Sequence, residues 1–206
     1  MRLLLATRNA HKLREFARLA DGWARAVSID PLPDDVELPP EHGATFAENA
    51  LGKARAAAAA TGRVAIADDS GIEAAALGGQ PGIRSARYAG EHATDQQNLD
   101  KLRREAPAGS PLAYVCALAY VDPASGEERV FEERCTGTLA ALPRGERGFG
   151  YDPAFLPDDL ADGRTMAELA PEEKDAISHR GRAAHMLLRW LAEERGRGSG
   201  RLASAD

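Results

Sequence analysis

The run Val64-Ala65-Ile66-Ala67-Asp68-Asp69-Ser70-Gly71 constrains the fold of this chain more than any other. A short, partly β-branched apolar stretch predicts a buried strand, and it leads directly into two adjacent carboxylates and a small turn. A strand that ends in charge belongs to a sheet opening on a ligand crevice, as in α/β proteins. Neighbouring anions repel, so they face water or hold a cation. Oxygen ligands suit a hard ion such as Mg²⁺, bound through one or two carboxylates together with substrate phosphates. Asp-Asp-Ser-Gly is equally a common turn composition, and the rest of the chain decides between the two.

Leu3 to Ala6 reads as a first buried strand, Thr7-Arg8-Asn9 as a polar turn, and Lys12 to Leu19 as a helix. Asp30 to Pro40 holds four prolines among acids and predicts a loop. Thr45-Phe46-Ala47-Glu48 matches a capping box and opens an Ala-rich helix to Ala60, closed by Thr61-Gly62. After the turn-rich Gly78-Gly79-Gln80-Pro81-Gly82, Thr94 to Glu105 reads as a third helix. Leu112–Val121 and Arg129–Thr136 are strand-like runs joined by Asp122-Pro123-Ala124-Ser125-Gly126, an antiparallel hairpin. The last helix spans Glu172 to Glu194, and the Gly-, Arg- and Ser-rich tail, residues 195–206, reads as disordered. The expected architecture is one α/β domain over residues 1–194, a mixed central sheet flanked by helices, with two lobes and a ligand cleft between them.

The formal net charge of −6, from 26 Lys+Arg against 32 Asp+Glu, argues against a surface built for nucleic acid, while leaving room for a local basic pocket. Cys116 and Cys135 lack metal-type spacing and read as reduced thiols. The apolar run near Met1 is too short for a signal peptide, and no segment approaches the ~20 apolar residues of a membrane span. A cytoplasmic protein without a membrane partner is expected.

Four constellations carry chemistry. In Thr7-Arg8-Asn9-Ala10-His11-Lys12 a strand-to-helix turn exposes backbone N–H groups, an anion site to which Lys12 adds charge; the glycines of a Walker loop are absent, and Asn9 fits a simple helix cap as well. Asn49 and Lys53, four apart, share one face of the second helix. Phe149-Gly150-Tyr151-Asp152-Pro153 presents an aromatic between glycines, suited to a nucleobase or to plugging the core. In Lys174-Asp175-Ala176-Ile177-Ser178-His179-Arg180-Gly181, adjacent His179 and Arg180 diverge by about 100° on a regular helix, so both reach one ligand best at a helix start or break, for which Ser178 is the candidate cap. No Ser-His-Asp arrangement or His-x-x-x-His zinc spacing is present, which disfavours a covalent enzyme intermediate.

Together these segments, with Pro81-Gly82-Ile83-Arg84-Ser85-Ala86-Arg87-Tyr88, occur in the order found in the inosine triphosphate pyrophosphatase family, and the chain resembles its bacterial dITP/XTP branch up to about Glu194. The resemblance implies an α/β homodimer that cleaves ITP, dITP or XTP to the monophosphate and pyrophosphate with Mg²⁺. It implies Asp69 as general base and metal ligand, Asp68 beside it as a second ligand, and Ser70 near the substrate. Thr7, Arg8, Asn9, Ala10, His11, Lys12 and Lys53 match triphosphate-binding positions. Phe149, Gly150, Tyr151, Asp152, Lys174, His179 and Arg180 match positions around base and sugar. The chain departs from many relatives in carrying Arg8 and His11 where glycine is common, and its sparse acidic loop leaves Glu41 as the remaining candidate carboxylate for metal. The other readings are a pyrophosphatase for another modified or pyrimidine nucleotide, a different enzyme class such as a monophosphate phosphatase, and a non-catalytic nucleotide-binding module.

Overall fold

The computed structural model describes residues 1–22 and 27–202, with side chains through residue 194. Six strands form one mixed sheet. β1 (Arg2–Leu5), β2 (Ser28–Pro31) and β3 (Ala65–Ala74) run parallel; β4 (Pro111–Asp122), β5 (Glu127–Leu139) and β6 (Phe155–Pro157) add antiparallel, giving the order β2-β1-β3-β4-β5-β6. Parallel neighbours need crossovers, which the helices α1 (Ala10–Asp21) and α2 (Phe46–Thr61) supply, whereas β4 and β5 close through a tight turn ending at Gly126. α3 (Asp95–Glu105), α4 (Pro171–Ile177) and α5 (His179–Leu202) complete the layers.

Side chains on a strand alternate between faces, and the core divides accordingly. Leu3, Leu5, Ile66 and Leu118 pack with Phe16 of α1 and with Ala183, Ala184 and Leu187 of α5. Leu4, Ala6, Ala65, Ala67, Ala117 and Ala119 meet Ala50, Ala54, Ala57 and Ala58 of α2, a seam of small residues on both sides. A third cluster, with Ile72, Leu99, Leu102, Tyr114, Phe155 and Met166, fills the far end of the sheet.

The α/β class, the mixed sheet and the hairpin match the sequence expectation. Four details differ. β3 does not stop at the carboxylates: β4 pairs with it along its whole length, Asp68 opposite Leu118 and Asp69 opposite Ala117, so the ladder satisfies the backbone there. β2 forms at the start of the proline-rich stretch as an edge strand, where Pro31 removes no needed donor. β6 has only three residues, too few for a periodic signal. The last helix is broken at Ser178, which is extended (φ −68°, ψ 152°) between α4 and α5. The α5 backbone continues through Leu202, and residues 203–206 of the expected tail lie outside the described residues.

Candidate active site

Because Asp68 and Asp69 are consecutive on β3, their carboxylates leave opposite faces of the sheet. Asp68 emerges on the α1/α5 face and is fully buried. Its Oδ2 meets Lys12 Nζ at 3.0 Å and Arg180 Nε at 3.1 Å, and accepts from the Ser70 hydroxyl at 3.1 Å, while Oδ1 has no hydrogen-bond partner. Burial alone would raise this carboxyl, but Lys12, Arg180 and Lys53 hold it well below the usual carboxylate range. Asp69 emerges on the α2 face. Asn49 Nδ2 donates to its Oδ2 at 2.9 Å, and Lys53 Nζ lies 3.5 Å from its Oδ1. Burial and the neighbouring Glu41 push the Asp69 carboxyl up despite Lys53 and Asn49.

A cavity of about 680 Å³ opens beside Asp69, within the range of small-molecule sites. Its lining includes Thr7, Arg8, Asn9, Lys12, Glu41, Lys53, Asp69 and Ser70. Asn9 caps α1, its Oδ1 accepting from the His11 and Lys12 amides. Glu41 meets Lys53 Nζ at 2.5 Å and is drawn down, against its burial, by Lys53, Lys12 and Arg87. Burial would lower Lys53, but Asp69, Asp68 and Glu41 raise it and keep it charged. Arg8 behaves differently from the other cations. Its guanidinium donates to the carbonyls of Leu32, Pro33, Asp34 and Val36 at 2.7–3.2 Å, clasping the proline-rich segment.

The lining also includes Phe149, Gly150, Tyr151, Asp152, Lys174, His179 and Arg180. Lys174 Nζ bridges Glu15 (2.9 Å) and Asp152 (2.6 Å), and Arg180 Nη1 holds the second Glu15 oxygen at 2.5 Å. Tyr114 donates to Asp152 at 3.0 Å. These buried charges form one paired network, the condition under which burial of ions is tolerated. The Phe149 ring lies 5.1 Å from Lys174 Nζ and 5.7 Å from the Arg180 guanidinium, within cation–π range. Its loop requires Gly148 (φ +74°), where a Cβ would strike Asp152 Oδ2 at 2.0 Å. His179 stacks on Tyr114 with centroids 4.7 Å apart; burial, Arg180 and Lys174 keep it neutral, well below the usual histidine range. The break at Ser178, the candidate cap, lets His179 and Arg180 both line the cavity.

Of the residues expected at the site, Ala10, His11 and Asp68 are not among those lining the cavity. His11 instead lies against Phe149, with centroids 5.0 Å apart. The sequence reading gave no site role to Glu15, Asn49, Ser85, Arg87, Asp95 or Tyr114. Asn49 carries a usable signal, its spacing from Lys53, and Ser85 and Arg87 both lie in the run from Pro81 to Tyr88. Glu15 and Tyr114 are brought in only by tertiary packing.

Among the described residues no group of three or more His, Cys, Asp or Glu is arranged to hold a metal by itself. Asp69 and Glu41 nevertheless share Lys53 as a neighbour on the cavity wall and repel each other. That fits a hard divalent cation held by one or two carboxylates with waters and substrate phosphates completing the shell.

The chain matches the Ham1 family over residues 3–190. A dITP/XTP pyrophosphatase from Mycolicibacterium paratuberculosis is 49% identical over 205 residues, covering 94% of this chain and 98% of that protein. One from Geobacillus kaustophilus is 49% identical over 193 residues, covering 90% and 91%. Among solved structures, a HAM1 protein from Coxiella burnetii aligns with a TM-score of 0.82 at 38% identity, covering 94% of this chain and 99% of that one. The nucleoside-triphosphatase / dITP/XTP pyrophosphatase from Mycobacterium abscessus aligns with a TM-score of 0.68 at 45% identity, covering 93% and 100%. The matched span holds the sheet and every cavity-lining residue from Thr7 to Arg180, so the chain belongs to the Ham1 family.

Proposed function

We propose that this chain hydrolyses the deaminated purine nucleoside triphosphates ITP, dITP and XTP to the monophosphate and pyrophosphate, and so clears them from the nucleotide pool. One observation carries the reading: a single cavity is lined both by the cations Lys12 and Lys53 with the Asp69 carboxyl and by Phe149, Tyr151 and the paired charges of Asp152, Lys174 and Arg180. The names of the relatives, dITP/XTP pyrophosphatases, support the substrate class. In this reading the triphosphate lies along Thr7, Asn9, Lys12 and Lys53, between two lobes, with the purine against Phe149.

Lys12 and Lys53 neutralise phosphate charge and hold the chain in line for displacement. Asp69 orients a water toward the α-phosphorus and accepts its proton; a raised carboxyl is the better proton acceptor of the two aspartates. Asp69 and Glu41 would hold Mg²⁺, which when bound offsets negative charge on the phosphate oxygens. Asp68 serves from behind, fixing Lys12 and Arg180. Base choice follows from donors. Lys174 and Arg180 each spend N–H groups on the buried network; in this reading the N–H groups they retain would meet the 6-oxo acceptor of hypoxanthine or xanthine. The 6-amino donor of adenine would leave them unpaired, a penalty on the order of 10⁴-fold. Guanine shares the 6-oxo acceptor, so its rejection additionally requires that its 2-amino donor find no acceptor in the pocket.

The enzyme in this reading is a cytoplasmic homodimer using Mg²⁺. Its net charge of −6 argues against a nucleic-acid partner, and no helix among the described residues is long and apolar enough to cross a membrane. The test is product analysis with ITP, XTP, GTP and ATP supplied separately with Mg²⁺. Monophosphate and pyrophosphate from ITP and XTP, with little turnover of GTP or ATP, are expected. Diphosphate and orthophosphate would refute the reading.

A further inference from the structure

Asn49 sits on the buried face of α2 beside Ala50, Ala54, Ala57 and Ala58, where helix propensity and packing favour another alanine. A buried amide is costly unless its bonds are made. Capping does not account for it: Thr45 Oγ accepts from the Glu48 amide, and Glu48 Oε2 accepts from the Ala44 amide. Both ends of the Asn49 side chain are engaged elsewhere. Nδ2 donates to Asp69 Oδ2 at 2.9 Å, and Oδ1 accepts from the Gly43 N–H at 2.8 Å. One helical turn on, Lys53 holds the other Asp69 oxygen at 3.5 Å and Glu41 at 2.5 Å. The segment carrying Glu41 approaches so closely that a Cβ on Gly43 would stand 2.7 Å from Asn49 Oδ1 and 2.8 Å from Glu48 Cβ.

We propose that Asn49 is a positioning residue: its one amide fixes the rotation of the Asp69 carboxylate and latches the Glu41 segment to the same helix, setting the spacing of the two carboxylates. The inference rests on Asp69 and Glu41 serving the hydrolysis proposed above. Without the donor, the Asp69 carboxylate loses its 2.9 Å restraint and is held by Lys53 at 3.5 Å. Without the acceptor, Gly43 is released and Glu41 moves relative to Lys53. The far end of the same segment is clasped separately by Arg8, so loss of Asn49 acts at the Glu41 end.

Three variants separate the two bonds. Asn49→Asp keeps an acceptor for Gly43 but removes the donor and sets a carboxylate against Asp69. Asn49→Ala removes both bonds. Gly43→Ala breaks the latch from the loop side, outside the buried helix face, and so serves if the helix variants do not fold. The readouts are kcat and KM for ITP with Mg²⁺, per folded molecule, and NMR-detected hydrogen exchange at the residue 43 amide. In both Asn49 variants kcat should fall by roughly 10- to 100-fold, the loss expected for one hydrogen bond to a charged group, with KM changed much less. Amide protection at position 43 should survive in Asn49→Asp and be lost in Asn49→Ala and Gly43→Ala. A purely structural role would lower Tm and leave kcat per folded molecule alone; that result, or unchanged protection in Asn49→Ala, overturns the inference. Wild-type protein inactive on ITP would instead refute the reaction, and the exchange measurement would still decide the latch.

Discussion

Asp68 and Asp69 differ only in the face of β3 they leave by, and the surroundings do the rest. Asp68 is locked between Lys12 and Arg180 in a fully buried position, so neutralising it strands two cations. Asp68→Asn should cost about 3–5 kcal/mol of stability in denaturant unfolding, the usual result of removing one partner of a buried ion pair. Asp69 faces the cavity and already repels Glu41, so Asp69→Asn should leave stability within about 1 kcal/mol of wild type. Turnover should nevertheless fall by about 10²- to 10⁴-fold, the contribution of a general base. Near-wild-type turnover in Asp69→Asn would remove that residue from the mechanism. Equal stability losses in the two variants would contradict their opposite placement.

The elements position these side chains through small residues and interruptions. At the break between α4 and α5, Ser178 Oγ accepts from the Gly181 amide at 3.0 Å, and a Cβ on Gly181 would stand 1.9 Å from the Asp175 carbonyl oxygen. Gly181→Ala should therefore displace the start of α5, lowering Tm by several degrees and kcat/KM for ITP by at least about tenfold, because His179 and Arg180 both move. Unchanged kinetics would mean that the break does not aim these two residues. Much at this scale is legible in the sequence. Continuous apolar runs mark β1, β3 and β4, Thr45 and Glu48 mark the start of α2, and the His179-Arg180 adjacency favours a helix start or break if both reach one ligand. The extension of β3 past its carboxylates is not legible, because it depends on pairing with β4, some fifty residues away. Nor is the use of Arg8 as a clasp, since the carbonyls it binds are carried by a segment without periodicity. Glu15 reads as one more charge on an amphipathic helix until Lys174 and Arg180 arrive from the far end of the chain.

Across the whole molecule the buried charges make stability depend on pH. His179 is held neutral, so below its ordinary value of 6.5 the unfolded chain takes up a proton that the folded one refuses. Its contribution is complete above that pH and declines as pH falls. Burial opposes ionisation of Asp68 and Glu15, but their cation partners win, and the net contribution of both fades at still lower pH, under about 4. Asp69, raised in the fold, works in the opposite direction and offsets part of that loss. Tm should therefore drop from pH 7.5 to pH 5, and His179→Gln should flatten the upper part of that slope. An unaltered slope in His179→Gln would assign it to other groups. The central claim, direct attack of water on the α-phosphorus, is tested most directly by hydrolysing ITP in ¹⁸O-water with Mg²⁺ and locating the label by mass spectrometry. Label in the monophosphate, with unlabelled pyrophosphate, is the predicted result; label in pyrophosphate or orthophosphate would contradict it.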